Sequence, residues 1–144
     1  MKKLKYFMIL VVVISSFVLS ACAAKATEEP NGDKPVPAPY TGMKNPFDGN
    51  ADALTAGKKV YTDNCATCHG DTGKGDGPGG ASLNPKPADL SDAATNDEDD
   101  RLYWTVAEGG DAAGKSKDMK PWKDILSKDE IWQVLTFVRT FKTK

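Results

Sequence analysis

The sequence has little of the chemistry from which most metal sites and disulfide scaffolds are built. It contains one histidine and three cysteines among 144 residues. Three cysteines are too few for the dense cross-links that stabilise small secreted domains. A single histidine excludes any site in which this chain supplies two imidazole ligands. Metal or cofactor chemistry must therefore centre on very few residues.

The sequence also lacks an excess of positive charge. Its 19 lysines and arginines face 20 aspartates and glutamates, which gives a formal net charge of −1. Proteins that bind nucleic acids usually carry a basic surface that neutralises phosphates, so we expect no nucleic-acid partner. Hydrophobic residues make up 40% and charged residues 27%. This composition and length predict one globular domain.

The longest apolar run lies at the N-terminus and is too short to span a bilayer. It covers residues 6–19, follows a basic start, and has the length of a signal-peptide core. The next residues, Leu19-Ser20-Ala21-Cys22, resemble the lipobox of bacterial lipoproteins. The resemblance implies a signal peptide over residues 1–21 and a lipid anchor on Cys22. The alternatives are an ordinary cleaved signal, in which Cys22 is incidental, and an uncleaved anchor.

Prolines dominate the segment that follows Cys22. Five of the nine prolines lie within residues 22–46, and no helical or strand periodicity accompanies them. Spaced prolines favour an extended, semi-rigid chain, although plain disorder would serve nearly the same purpose. We therefore predict a lipid-anchored linker over residues 22–46 and a folded domain over residues 47–144.

Helical periodicity dominates the folded domain, and nothing in it alternates like a strand. Glycines and prolines crowd residues 70–86, which are predicted to form a loop. Three helices are predicted, over residues 51–64, from about 97 to 108, and from about 128 to 141. Three helices and long loops make a thin core, so we expect a bound group to complete it.

Capping residues support the ends of these helices. Asn50 and its neighbours offer caps for the first helix, and Asn96 or Asp97 is expected to cap the second. Ser127 and Glu130 have the Ser-x-x-Glu spacing of a capping box, which predicts the start of the third helix.

The pentapeptide Cys65-Ala66-Thr67-Cys68-His69 is the most specific feature of the chain. It has the C-x-x-C-H spacing of a c-type haem attachment site. Two thiols can add to the two vinyl groups at one haem edge, and the adjacent histidine then lies under the iron as its proximal ligand. We therefore predict one covalently bound haem c, held by Cys65, Cys68 and His69.

Three other interpretations of the pentapeptide are weaker. A redox-active C-x-x-C pair is expected beside a βαβ pattern, which the sequence lacks. A structural zinc site needs four ligands, and three adjacent ones do not close a tetrahedron. A disulfide between Cys65 and Cys68 is open in an exported protein.

The pattern resembles the class I monohaem cytochromes c over about residues 50–144. The resemblance rests on the pentapeptide at the end of a helix, and on Gly57 and Tyr61 within that helix. It implies that Gly57 and Tyr61 meet the last helix at Val134 and Phe137. The implied fold is all-α, a small cytochrome c-like helical domain around one covalently attached haem.

The second axial ligand has three candidate sources: a methionine, a lysine, or an open position. The resemblance implies a methionine between the second and third helices, where Met119 lies just before Pro121. A thioether ligand raises the reduction potential of the iron. Alternatively, Met119 fills a gap in the core. Met43, in the predicted linker, is the competing methionine.

Two further features concern the surroundings of the haem. The resemblance implies that a proline carbonyl orients His69, and Pro87 is the expected residue, with Pro85 in reserve. Lysines flank Met119 and could steer an acidic redox partner, although a solvated loop face explains them equally well. They are Lys115, Lys117, Lys120 and Lys123.

These features predict an electron carrier and not an enzyme. Iron with two axial ligands has no open position for a substrate, and no distal catalytic set stands out. We predict electron transfer between a respiratory donor and acceptor, by a lipoprotein on the periplasmic face of the inner or outer membrane, with no small-molecule substrate. One alternative is a haem-based enzyme or gas sensor with an open or displaceable sixth position. Another is a bound subunit of a larger complex.

Overall fold

The computed structural model describes residues 34–143, and its regular structure is entirely helical. Cys22 and the predicted signal peptide lie outside the described residues. No helix between residues 34 and 143 is long and apolar enough to cross a bilayer. The all-α prediction is confirmed. In chain order the helices are α1 (Ala51–Asn64), α2 (Ala66–His69), α3 (Leu90–Asn96), α4 (Asp99–Glu108) and α5 (Lys128–Val138), with 3₁₀ turns at Pro78–Gly80 and Arg139–Phe141.

Helices α1 and α5 begin where their capping residues predict. The Asn50 side chain accepts a hydrogen bond from the backbone N–H of Ala53, and α1 covers the predicted residues. At α5 the Ser127 hydroxyl accepts from the Glu130 N–H, while the Glu130 carboxylate accepts from the Ser127 N–H at 2.8 Å. The capping box is therefore confirmed.

The region before α4 differs from the prediction. An additional short helix, α3, begins at Leu90 and is capped by Asp89, whose carboxylate accepts the Ser91 N–H. Asn96 ends α3 and Asp97 follows it, so neither residue caps α4. Helix α4 begins two residues later than expected, after Glu98, and no side chain caps it. The Asp89 cap was the local signal that the sequence interpretation missed.

The most extensive contact between helices joins α1 to α5. A Cβ atom at Gly57 would lie 1.9 Å from the carbonyl oxygen of Gln133, so only glycine permits this approach of the two backbones. Tyr61 is buried beside Val134, and its ring centroid lies 5.2 Å from that of Phe137. The predicted meeting of the first and last helices is confirmed.

Residues 34–47, here called the strap, lie on α4 and α5 and do not form a linker. Tyr40, Met43 and Phe47 pack against an apolar cluster drawn from both helices. The Asn45 side chain donates hydrogen bonds to the Trp132 carbonyl oxygen, at 3.2 Å, and to the Thr136 hydroxyl, at 3.0 Å. The structure thus differs from the predicted linker, whose residues 34–46 belong to the packed domain. Burial of these apolar side chains is the reason.

Replacing Gly57 with alanine tests the α1–α5 contact. In an exposed helix this change would be favourable because alanine has the higher helix propensity. Here the new methyl group collides with the Gln133 carbonyl, so we expect the free energy of unfolding to fall by about 2 kcal/mol. Denaturant titration of the haem-bearing protein measures this free energy of unfolding.

Lys58→Ala is the matched control, because Lys58 is an exposed neighbour in the same helix. It should leave the free energy of unfolding nearly unchanged. A Gly57→Ala protein as stable as the wild type would contradict the close approach.

Candidate haem site

The pentapeptide forms one helical turn directly after α1. The N–H of Cys65 still donates to the Tyr61 carbonyl, at 2.8 Å, and the N–H groups of Cys68 and His69 donate to the Cys65 carbonyl. Residues i, i+3 and i+4 of a helix share one face. The turn therefore presents Cys65, Cys68 and His69 on the same side, as simultaneous attachment to one planar group requires.

The two thiols are free and partly buried, so the disulfide left open by the sequence is not formed. Burial, and secondarily the nearby Cys68, raise the pKa of the Cys65 thiol to about 12. A redox-active dithiol instead needs a thiol of lowered pKa, since the thiolate is the nucleophile. The surroundings of Cys65 favour a buried thioether link over dithiol exchange.

His69 has a defined orientation in this turn. Its Nδ1 lies 3.3 Å from the carbonyl oxygen of Ala88. A carbonyl can only accept, so this contact requires Nδ1 to carry the proton and leaves Nε2 as the potential iron ligand. Burial lowers the pKa of His69, while the bond to Ala88 opposes that change. The neutral imidazole is the form that binds a metal.

The orienting carbonyl is therefore not that of Pro87, and this prediction is wrong by one residue. The Pro87 carbonyl faces Gly75, where a Cβ atom would approach it to 2.1 Å. The next peptide, at Ala88, turns towards the imidazole. Asp89 then caps α3, and the Ser91 bonds, followed by the Lys74 ammonium, lower the pKa of its carboxyl to about 2. Sequence reasoning missed this anchoring of the loop.

The glycine-rich loop folds back onto the attachment turn. A Cβ atom at Gly77 would lie 2.4 Å from the carbonyl oxygen of Thr67, between the two cysteines. A Cβ atom at Gly80 would lie 2.8 Å from the carbonyl oxygen of Cys68. The loop predicted over residues 70–86 is observed, apart from the single turn at Pro78–Gly80. Its small residues let it cover the turn without displacing the thiols.

The Met119 segment, residues 109–123, is attached to the end of α4. The N–H of Gly110 donates to the Met119 carbonyl at 2.9 Å, and the N–H of Trp122 donates to the Val106 carbonyl at 3.1 Å. Met119 itself is partly buried. Its place as an iron ligand stays a prediction. Met43, the competing methionine, packs with the strap against the α4–α5 cluster.

Two of the lysines near the site are paired with acids. Lys123 lies 2.8 Å from a carboxylate oxygen of Glu108, and Lys74 lies 3.1 Å from one of Asp89. These two ammonium groups are thus partly compensated. A docking surface formed by the site's lysines is correspondingly weaker than their number in the sequence indicates.

The donor set fits a covalently bound haem. Two partly buried thiols and one neutral, oriented imidazole share a face of one turn, and the covering loop approaches that turn through Gly77 and Gly80. When bound, haem supplies a one-electron redox centre. Cys65 and Cys68 would then hold the porphyrin, and His69 would present its Nε2 to the iron.

Comparison with known proteins gives one curated relative and two solved structures of note. Over 91 residues the chain is 35% identical to the cbb3-type cytochrome c oxidase subunit FixPc of Rhizobium leguminosarum bv. viciae, covering 59% of this chain. The chain spans only 26% of the length of that relative.

The solved structures share the fold. Cytochrome cL of the marine methylotroph Methylophaga aminisulfidivorans is 24% identical with a TM-score of 0.51, over 67% of this chain and 60% of its own. A chain of a reducing HAO-like protein complex of Kuenenia stuttgartiensis is 25% identical with a TM-score of 0.53, over 71% and 48%.

The family comparison agrees with the site. The sequence matches the cytochrome c family over residues 54–142, which include the attachment turn, α3 to α5 and the Met119 segment. Together with the two thiols and the oriented imidazole, this match establishes the cofactor as covalently bound haem c. The chain belongs to the cytochrome c family.

Proposed function

We propose that this protein carries single electrons between redox proteins, with its iron ligated by His69 and Met119. The observation that carries the proposal is the attachment turn, in which His69 is oriented by the Ala88 carbonyl beside two free thiols. Membership of the cytochrome c family supports electron transfer as the general role. Iron that keeps both axial ligands in both oxidation states has little reorganisation to undergo.

We assign Met119, and not Met43, as the second ligand. Its segment is closed by the hydrogen bond from the Gly110 N–H to the Met119 carbonyl and is held to α4 through Trp122 and Lys123, and Met119 remains only partly buried. Met43 instead packs, with the strap, against the apolar cluster of α4 and α5. A thioether favours ferrous iron and so raises the reduction potential.

We also propose that Cys22 carries a lipid anchor and that the domain works at the periplasmic face of a membrane. The described part of the strap begins at Lys34, so at most residues 23–33 separate the anchor from the packed chain. At about 3.5 Å per residue, such a segment reaches at most about 40 Å. Its partners, a respiratory donor and acceptor, would therefore act close to the membrane surface. The similar protein FixPc is named as a subunit of a cbb3-type cytochrome c oxidase, and an oxidase of that kind is an example of such a partner.

A haem enzyme or gas sensor is the second candidate function. The likeness to a chain of a reducing protein complex is the observation that favours it. It requires that Met119 be absent from the iron or easily displaced. The two candidates therefore differ in one measurable property, the occupancy of the sixth position.

Met119→Ala tests the axial ligand. The oxidised wild type should show the weak red absorption band of ferric haem bound by a thioether, and the variant should lose it. The reduction potential should fall by on the order of 0.1 V, because loss of the thioether removes its preference for ferrous iron. Absorption spectra and a redox titration give both values.

Met43→Leu is the matched control and should keep the band, since Met43 serves packing. An unchanged spectrum in Met119→Ala would reject Met119 as ligand. Ready binding of carbon monoxide by the reduced wild type would favour the second candidate function.

Cys22→Ser tests the anchor. We expect the wild type in the membrane fraction, with a mass that shows cleavage before Cys22, acyl chains and one haem. The variant should lose the acyl mass and leave the membrane, because several acyl chains are needed for durable anchoring. Fractionation followed by intact-protein mass spectrometry measures both. A wild type without acyl chains would contradict the proposed lipid anchor. The haem mass in the same spectrum would not change, so this result would leave the proposed electron transfer standing.

A further inference from the structure

The strap is bonded directly to the near half of the Met119 segment and, through Glu108 of α4, to its far end. We propose that Tyr40 is a positioning residue which, through Glu108 and Lys123, holds this segment against α4 and so keeps Met119 on the iron. The inference rests on the proposed ligation of the iron by His69 and Met119.

The first connection is a carboxylate shared by the strap and the segment. The Tyr40 hydroxyl donates a hydrogen bond to Glu108, at the last turn of α4. The Lys123 ammonium donates to the same carboxylate, at 3.0 and 2.8 Å from its two oxygens. Lys123 ends the Met119 segment. One side chain of α4 thus joins the strap to the far end of the segment.

The protonation states suit this connection. Burial, and then the hydrogen bond to Glu108, raise the pKa of Tyr40 to about 12, so its hydroxyl remains a donor at neutral pH. The bond from Lys123, followed by that from Tyr40, lowers the pKa of Glu108, which stays a carboxylate. The Tyr40 ring also packs near Tyr103, with centroids 6.1 Å apart.

The second connection lies at the near half of the segment. The Lys34 backbone N–H donates to the Ala113 carbonyl at 3.3 Å, and its ammonium donates to the Asp111 carbonyl at 2.9 Å. Arg101 of α4 donates to the Lys34 carbonyl at 3.0 Å. The strap is therefore linked to the segment on both sides of Met119 in the sequence, directly at residues 111 and 113 and through Glu108 at Lys123.

These contacts matter because the Met119 segment contains no helix of its own. Segments with few buried contacts open locally at a lower free energy than the whole domain unfolds. A thioether is a weak ligand, so opening of the segment would control its replacement by an external one. Contacts that hold the segment closed therefore favour Met119 over an external ligand at the sixth position of the iron.

Imidazole titration of the ferric, haem-bearing full chain tests the inference. Tyr40→Phe keeps the ring packing and removes only the hydroxyl that donates to Glu108. We expect its affinity for imidazole, read from the change in the haem absorption spectrum, to rise about fivefold, the factor that corresponds to one hydrogen bond. A merely structural Tyr40 would change the unfolding midpoint and leave the imidazole affinity unchanged.

Lys44→Gln is the matched control. Lys44 is also in the strap, but its partner is Glu98, at the other end of α4 from the Met119 segment. Its imidazole affinity should equal that of the wild type. Glu108→Gln should raise the affinity as Tyr40→Phe does, because it removes the ion pair with Lys123.

The outcomes separate the two proposals. If the wild type shows the red band, Met119→Ala loses it, and Tyr40→Phe binds imidazole like the wild type, the role of Tyr40 is overturned and the ligation stands. If the wild type has no such band and Met119→Ala binds imidazole with unchanged affinity, the ligation fails, and the role of Tyr40 fails with it.

Discussion

Attachment of one planar haem to a single helical turn is the constraint on which the rest of the structure depends. Cys65, Cys68 and His69 must share one face, and that face must lie where the domain can close over it. Helix α1 meets this need by ending at Asn64, directly before the turn. The carbonyl of Ala88 then sets the imidazole in the orientation that frees Nε2.

The remaining elements hold that turn in place. Gly57 lets α1 and α5 approach until their backbones touch, and Tyr61 extends the contact towards the turn by donating its hydroxyl to the Gly70 carbonyl at 2.7 Å. The strap covers the cluster of α4 and α5, which would otherwise expose apolar side chains. It also reaches the Met119 segment, so one stretch of chain supports both the core and the proposed ligand.

Local signals made the central features predictable from the sequence, while long-range contacts hid the others. The cap at Asn50, the helical periodicity and the pentapeptide all lie within one short window, so the bounds of α1 and the place of the pentapeptide at its end were predictable. The strap was not, because its prolines mask three apolar residues whose partners lie some 55 to 95 positions away. The carbonyl that orients His69 was expected at Pro87 and is found at Ala88 for a similar reason. The path of this loop depends on the contact between Pro87 and Gly75, which are distant in the sequence.

The central claim is that a haem bound through Cys65 and Cys68 completes a core that the polypeptide alone cannot fill. The most direct test is to compare denaturant unfolding of the mature protein with that of the Cys65→Ala/Cys68→Ala chain. The account predicts a coloured wild type that unfolds cooperatively, and a colourless variant without a cooperative transition. A wild type that emerges colourless from a host with working export and haem-ligation machinery, and is still cooperatively folded, would contradict it.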